Sequence, residues 1–336
     1  MLMHESKPRP LQILGVGRYV PSRVVTAQQL ADRIGIEADW ILRNQGVRER
    51  RWVTHETASQ MGALAAREAL ANAGLETTDL DLIINASGTQ EQAIPDGAAL
   101  IQRELDLGES GVPCFSVHAT CLSFMVGLDV ASHLLATGAH QRILVVSSDI
   151  SSCALDFTEP EACTLFGDMA AAVVVGRAST ESGSCVHSSR LETFGVGADL
   201  THIPGGGTGK HPNDPATRPE DNLFHMQGRK VARLSIKHGG EFLERLSPGL
   251  SSGLGDIDLV IPHQASLLGL RLMARHFGFG EDKLVSILEL YGNCVAASIP
   301  GALYEAITTG RLQRGHRVLF LGTGAGLSIG GMILTY

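Results

Sequence analysis

The sequence lacks the cysteine pairs, the basic charge excess and the long apolar runs that mark several classes of protein. Its six cysteines form no C-x-x-C pair, which argues against a zinc knuckle or a secreted disulfide framework and favours a reducing cytoplasm. The net charge of −8 lacks the positive excess that is typical of a nucleic-acid binder. The first residues lack the apolar core and cleavage site of a signal peptide, and no run approaches 18 uninterrupted apolar residues. We therefore expect a cytoplasmic protein that binds neither nucleic acid nor membrane.

What is present is an internal repeat. The 336 residues, 44% hydrophobic with 39 glycines, have a composition typical of a compact α/β protein. DLDLII (79–84) and DIDLVI (256–261) lie 177 residues apart, and both are expected to be buried strands. LLATGAHQRILVVSSD (134–149) and AITTGRLQRGHRVLFLGTG (306–324) match with Gly138 opposite Gly310, an offset of 172. These pairs predict two similar halves, residues 1–180 and 181–336, packed about a pseudo-twofold axis.

Three polar residues are candidates for one active site. Cys121 follows a strand-like run at the start of an apolar helix, where free N–H groups and partial positive charge favour a thiolate. Cys121 and Asn293 each lie 17 residues before a matched glycine, so the pseudo-twofold would bring these two helix starts together. His263, in PHQAS, lies at the exit of a second-half strand, where open α/β sheets meet ligands.

Each of these residues alone also has a purely structural explanation. Free cysteine is often buried for packing, asparagine caps helices, and a histidine at a strand end is often only a satisfied hydrogen-bonding group. Their joint placement through the repeat favours catalysis. The order Cys, His, Asn also occurs in papain-like proteases, but the C-G-S/A-C-W/Y context is absent and a duplication has no place in that fold. A non-catalytic subunit is disfavoured because all three polar residues are present.

The chain resembles the β-ketoacyl-acyl-carrier-protein synthase III family over about Ile13 to Tyr336. The motifs that carry the resemblance are DWILRNQGVRERR (39–51), ATCLSF (119–124), TLFGDMAAAVVVG (164–176), VIPHQAS (260–266), GNCVAASIP (292–300) and LGTGAGLSIGG (321–331). It implies the thiolase-like α/β fold, with duplicated mixed sheets in αβαβα layers, and a homodimer without metal or other cofactor. It also implies a two-stage reaction of fatty-acid or polyketide-type biosynthesis. Cys121 takes an acyl group, with its own N–H and that of Ala325 as oxyanion hole, and malonyl-acyl carrier protein then loses CO₂ and attacks.

The resemblance assigns further residues to the substrates. It places Trp40 and Arg43 at the coenzyme A mouth, Ile94 in the acyl pocket across the dimer interface, and Ser266 beside His263. The acidic carrier protein would dock on Arg271 and Arg275, which lie one helical turn apart. At three positions where the best-known members have an arginine, this chain has Asn44, Cys153 and Leu268. The acyl donor is therefore open between coenzyme A and carrier-protein thioesters. The alternative function is an acyltransferase on the same fold, acting on an alcohol or amine.

Overall fold

The computed structural model describes residues 7–278, 280 and 282–336 as alternating strands and helices. The strands are β1 (Arg9–Pro10), β2 (Gln12–Tyr19), β3 (Arg23–Thr26), β4 (Glu49–Trp52), β5 (Leu82–Asn85), β6 (Cys114–Ser116), β7 (Arg142–Asp149), β8 (Met169–Gly176), β9 (Cys185–Thr193), β10 (Thr201–His202), β11 (His225–Met226), β12 (Leu259–Pro262), β13 (Arg317–Gly324) and β14 (Ser328–Thr335). The helices are α1 (Ala27–Ile34), α2 (Ala38–Asn44), α3 (Ala58–Ala73), α4 (Gly97–Glu104), α5 (Ser123–Thr137), α6 (Pro160–Cys163), α7 (Gly228–Leu246), α8 (Leu267–Phe277), α9 (Leu288–Tyr291) and α10 (Ser298–Thr308).

Two five-stranded mixed sheets share the topology of four of their strands. The first has the order β2-β8-β7-β5-β6 and the second the order β1-β9-β14-β13-β12. In each, a parallel pair (β5 with β7, β12 with β13) is followed by two antiparallel neighbours. This repeat confirms the predicted pair of duplicated mixed sheets. The division at residue 180 stays a prediction; it falls between β8 and β9, while β1 pairs with the second sheet.

Alternation of side chains along the strands builds the layers. In β8, Val173 and Val175 belong to the core between the two sheets, whereas Ala172 and Val174 belong to a second core under α3 and α4. The central core is filled by α5 and α10. The outer face of the second sheet is covered by α7, with the α8 residue Met273 packed against the same cluster. The order of layers is therefore α, β, α, β, α, as predicted.

Helix α5 is apolar because it lies between two sheets. The window Thr120–Thr137 has a mean hydropathy of 1.4, enough by length and composition to cross a membrane, and half of it is buried inside the protein. It is the one such window in the described part of the chain. Phe124, Leu128 and Leu135 contribute to the central core, so packing accounts for its apolar character.

The repeated Asp-x-Asp-Leu motif ties neighbouring strands together. The predicted strands begin three residues later than expected, at Leu82 and Leu259, because the aspartates lie in the preceding turns. The carboxylate of Asp81 accepts from Arg142 N at 3.2 Å, and that of Asp258 accepts from Arg317 N at 2.8 Å. Each aspartate thus satisfies the first N–H of the adjacent parallel strand in its own half.

Candidate active site

Cys121 lies in a 3-10 turn, Thr120–Leu122, that leads into α5. Thr120 has φ 50°, in the left-handed region. Ser123 fixes the turn, since its hydroxyl accepts from Ala119 N at 2.9 Å and donates to Thr120 O at 2.7 Å. Cys121 keeps partial contact with solvent. The backbone at the cysteine is therefore fixed by local hydrogen bonds, and the residue is not fully shielded from solvent.

The equivalent turn of the second half is Val295–Ala297, which precedes α10. Val295 also has φ 50°, and the Ser298 hydroxyl accepts from Cys294 N at 3.0 Å, as Ser123 does in the first half. The serines lie 175 residues apart, so the counterpart of Cys121 is Ala296. The predicted equivalence of Cys121 and Asn293 is wrong by three residues, because the segment from the serine to the matched glycine is three residues shorter in the second half.

Asn293 nevertheless lies directly beside this turn. Its side-chain oxygen accepts from Val295 N at 2.9 Å, and its backbone N–H donates to Leu165 O at 2.9 Å. The residue is only 5% exposed. Oδ1 thus satisfies a free N–H at the start of the 3-10 turn, as a cap does, although the N-cap position itself is Cys294 and α10 has no side-chain cap. Because Oδ1 is engaged, the amide nitrogen Nδ2 is left as the group that can donate to a ligand.

His263 follows β12 and is held by the neighbouring strand. Its backbone N–H donates to Leu321 O at 2.8 Å. The side chain is 4% exposed, and Nδ1 is buried without a hydrogen-bond partner among the described residues. Burial lowers the pKa of His263 to about 4, so the imidazole is neutral near pH 7. A neutral ring carries one N–H and can donate it in a site that excludes water.

Gln264 fixes the loop that carries His263. Its Nε2 donates to Pro262 O at 2.8 Å, and its Oε1 accepts from Ile287 N at 3.0 Å. The side chain is fully buried. Gln264 is not among the residues predicted from the sequence, where its position next to His263 in PHQAS was the available signal. Gln264 is a positioning residue for the histidine.

Two glycines of β13 let the candidate residues of both halves meet. A Cβ atom on Gly322 would lie 2.7 Å from His263 Cβ and 3.1 Å from Leu122 Cδ2. One on Gly324 would lie 2.6 Å from Thr120 Oγ1. Only glycine leaves room for such contacts. The histidine of the second half and the cysteine turn of the first half therefore flank the same strand end.

The surroundings of the Cys121 thiol shift its pKa in opposite directions. Burial first, and then the charge of Asp149, raise its pKa to about 12. Hydrogen bonds from the N–H groups of Cys121 and Ala325, and from the Thr120 side chain, lower the pKa but do not offset the burial. These contributions favour the neutral thiol in the free protein, against the expectation that the helix start favours a thiolate. These two N–H groups belong to the residues predicted as the oxyanion hole, a role that stays a prediction.

The predicted coenzyme A residues lie on α2. Trp40 is partly buried and packs against a separate apolar cluster. Arg43 is exposed and its guanidinium lies 3.9 Å from the Asp39 carboxylate. Asn44 donates from Nδ2 to Trp40 O at 2.8 Å, which fixes the last turn of the helix. These contacts neither assign nor remove a substrate role.

Helix α8 carries the remaining predicted residues. Ser266 is its N-cap and accepts from Gly269 N at 3.1 Å. Arg271 and Arg275 are exposed, and neither forms an ion pair with another described residue. A second basic face, with more residues than the pair on α8 and not predicted from the sequence, lies on α7. Four exposed side chains of this face also lack an ion pair within the described chain. They are Arg229, Lys230, Arg233 and Lys237.

Ile94 and the edge strand β6 lie on the surface. Ile94 is 87% exposed, in the loop before α4. Phe115 of β6 is also exposed, and β6 is the last strand of its sheet. Edge strands with apolar side chains are rarely left open to water. This surface therefore needs a cover, which the single chain does not supply among its described residues.

Comparisons with family models, with known proteins and with solved structures all find the same family. Residues 115–195 match the family model described as 3-oxoacyl-[acyl-carrier-protein (ACP)] synthase III, and residues 251–336 match the model of its C-terminal part. The β-ketoacyl-[acyl-carrier-protein] synthase III of Symbiobacterium thermophilum is 35% identical over 332 residues, covering 98% of this chain and 99% of the relative. That of Clostridium acetobutylicum is 31% identical over 326 residues, covering 97% and 98%. The crystal structure of the Aquifex aeolicus enzyme is similar with a TM-score of 0.86 at 32% identity, covering 98% of this chain and all of the other.

Proposed function

Since this chain belongs to the β-ketoacyl-[acyl-carrier-protein] synthase III family of condensing enzymes, we propose that Cys121, His263 and Asn293 are its catalytic residues. The enzyme is of the acyltransferase class and serves fatty-acid biosynthesis. The observation that supports the assignment is the position of the cysteine turn: buried, neutral His263 meets it at the end of β13, and the turn beside Asn293 meets it across Gly88.

In the first stage Cys121 attacks the carbonyl of an acyl thioester. Its raised pKa means that the thiol must lose its proton during the attack, and neutral His263 is the base that accepts it. The carbonyl oxygen becomes negative and receives hydrogen bonds from the N–H groups of Cys121 and Ala325. The donor's thiol leaves with a proton, and the acyl group remains on sulphur. The imidazole is then neutral again.

In the second stage a malonyl thioester takes the place of the departed thiol. Its thioester oxygen accepts from the His263 imidazole N–H and from Asn293 Nδ2, which Val295 N holds in that orientation through Oδ1. The C–C bond to the carboxylate breaks and CO₂ leaves. The enolate attacks the acyl carbon, the bond from that carbon to the Cys121 sulphur breaks, and the departing thiolate takes one proton from solvent to restore the thiol. Removal of one such donor typically costs about 10²–10³ in rate. A carboxylate in place of Asn293 would repel the enolate.

The malonyl group is carried by acyl carrier protein in this proposal. An acidic partner is attracted by basic patches, and this enzyme has a net charge of −8, so a local patch is needed. Arg271 and Arg275 on α8 supply one such patch, and the basic face of α7 supplies another. Asn44 and Cys153 leave the donor open between coenzyme A and carrier-protein thioesters.

The enzyme is proposed to act as a cytoplasmic homodimer without metal or other cofactor. Exposed Phe115 on the edge strand β6, together with Ile94, supports association with a second copy. Among the described residues there is no group of histidine, cysteine, aspartate or glutamate that could hold a metal ion. The two stages described above require only the thiol, the imidazole, the amide and backbone N–H groups.

The test of this function uses purified enzyme with an acyl donor and malonyl-acyl carrier protein. A condensing enzyme releases one CO₂ for each β-ketoacyl product, measured with carboxyl-labelled malonyl and by mass spectrometry of the carrier. The alternative acyltransferase would form an acyl-enzyme and transfer it to an alcohol or amine without releasing CO₂. Acyl-enzyme formation without CO₂ release for any donor would exclude condensation.

Ile94 is expected to set the depth of the acyl pocket in the dimer. Phenylalanine at this position is larger and flat, so Ile94→Phe should exclude longer chains, and wild type should prefer medium or branched donors over acetyl. Each buried methylene contributes about 0.8 kcal/mol, or roughly fourfold in affinity. If two or three methylenes are blocked, kcat/KM should shift towards acetyl by about one to two orders of magnitude.

The matched control for Ile94 is Leu64→Phe, on the exposed side of α3. It adds the same ring to an exposed aliphatic residue and should leave the chain-length profile unchanged. The measurement is kcat/KM across acetyl, isobutyryl, hexanoyl and octanoyl donors. A wild-type preference for acetyl, or the same profile in both variants, would remove Ile94 from the pocket.

A further inference from the structure

The mechanism leaves the buried carboxylate of Asp149, at the end of β7, unused. The side chain has no exposed surface. Its Oδ1 accepts from Gly88 N at 2.8 Å, Thr89 N at 2.7 Å and Thr89 Oγ1 at 3.0 Å. Its Oδ2 accepts from Ala297 N at 3.0 Å. No described lysine or arginine pairs with it, so a buried carboxylate is retained for its four donors alone.

These donors lie in different halves of the chain. Gly88 and Thr89 follow β5 in the first half, whereas Ala297 closes the 3-10 turn that Asn293 caps in the second half. The carboxylate is thus a bridge of hydrogen bonds across the interface between the halves. Each catalytic turn already has its own local serine, so Asp149 is not needed to close either turn by itself.

The bridge also holds the two catalytic turns against each other. Gly88 is wedged between them: a Cβ atom there would lie 2.5 Å from Val295 Cγ1 and 3.0 Å from Thr120 O. Thr120 and Val295 are both residues with φ 50°. Such conformations persist when surrounding contacts over-determine them. The hydrogen bond from Gly88 N–H to Asp149 holds Gly88 between the two turns.

We propose that Asp149 is a positioning residue that fixes the Asn293 turn relative to the Cys121 turn. The enolate carbon is thereby held next to the acyl carbon on Cys121. This inference rests on the proposed condensation. It assigns Asp149 to the second stage, because acyl transfer needs only Cys121, Ala325 and His263. A displacement of about 1 Å between reacting groups can cost about a hundredfold in rate.

The test is Asp149→Asn, which keeps the size of the side chain and one acceptor oxygen. Three donors on the Gly88–Thr89 side should keep that oxygen, so the new NH₂ group faces Ala297 N–H and the bridge breaks there. Acyl-enzyme formation should stay within about threefold of wild type, whereas CO₂ release from malonyl-acyl carrier protein should fall about 10- to 100-fold. Alkylation of Cys121 by iodoacetamide at fixed pH should become faster, because a negative charge near the sulphur is removed.

The matched control is Asp168→Asn. Asp168 is equally buried, and it accepts from Val53 N, Ser151 N and Ser152 N at 2.9 Å and from Ser152 Oγ at 2.6 Å, all in the first half. Asp168→Asn should lower the melting temperature by about as much as Asp149→Asn does. It should leave the ratio of CO₂ release to acylation unchanged. That ratio distinguishes positioning from general destabilisation.

Equal ratios in Asp149→Asn and wild type, or equal losses in Asp149→Asn and Asp168→Asn, would overturn the proposal. Should Asp149→Asn not fold, Thr89→Val removes the Oγ1 donor to Asp149 together with the acceptor of Ile150 N and leaves the carboxylate in place. Its CO₂ release should fall severalfold with acylation intact, and an unchanged ratio there would overturn the proposal equally. Wild-type enzyme that releases no CO₂ would refute the condensation itself. In that case the positioning role falls with it, whereas a failure confined to the variants leaves the condensation standing.

Discussion

Cys121→Ala is expected to abolish the acyl-enzyme while leaving the fold intact. Intact-protein mass spectrometry after incubation with acyl-coenzyme A or acyl-carrier protein should show wild type heavier by one acyl group and the variant unchanged. The reason is that Cys121 is the thiol that two backbone N–H groups face, its own and that of Ala325. The melting temperature should hardly change, because the substitution removes a single sulphur atom from a partly exposed side chain.

Cys153→Ala is the control for this experiment. Cys153 is the exposed cysteine, and its sulphur contacts only Ile150 O at 3.4 Å among the described residues, so it is the thiol most open to adventitious acylation. The variant should acylate as wild type does. Acylation that survives in Cys121→Ala and vanishes in Cys153→Ala would move the nucleophile to the surface.

The protonation state of Cys121 gives the same experiment a pH dependence. A thiol with a pKa of about 12 is mostly protonated at pH 7, so its alkylation by iodoacetamide should rise about tenfold per pH unit from pH 7 to 10, without a plateau. A plateau below pH 8 would show a stable thiolate in the free enzyme. It would contradict the assignment of His263 as the base for acylation.

Asn293→Asp is expected to lose CO₂ release by two orders of magnitude or more while still forming the acyl-enzyme. The variant keeps the oxygen that accepts from Val295 N, so the turn should remain, but Nδ2 is replaced by a second oxygen. A donor to the enolate is lost and a negative charge is added. The measurement is CO₂ release from malonyl-acyl carrier protein beside the yield of acyl-enzyme from the same donor.

Companion variants separate the donor from the fold. Asn293→Ala removes both donor and cap, and should lose stability as well as decarboxylation. His263→Ala should lose decarboxylation to a similar extent and acylate slowly, because the base is also gone. Retention of near-wild-type CO₂ release in His263→Ala and Asn293→Asp would refute the enolate-stabilising role of these side chains.

The sequence by itself determined the layers and the candidate residues. Two repeated motifs at nearly equal offsets predicted two similar halves, and the order of the layers was predicted through the family resemblance. Cys121, His263 and Asn293 stood out because polar residues at strand exits and helix starts are visible in one dimension. The register of the repeat was less visible, since glycines that end helices match across unequal helix lengths, and the counterpart of Cys121 is Ala296.

The tertiary structure alone decided the protonation states and the link between the halves. Whether Cys121 is thiol or thiolate depends on the competition between burial and hydrogen bonds from groups as distant in sequence as Ala325. That Asn293 is both cap and donor depends on which of its two side-chain atoms is engaged. The bridge from Asp149 to Ala297 spans 148 residues. Such effects arise from three-dimensional proximity and desolvation, which no local pattern encodes.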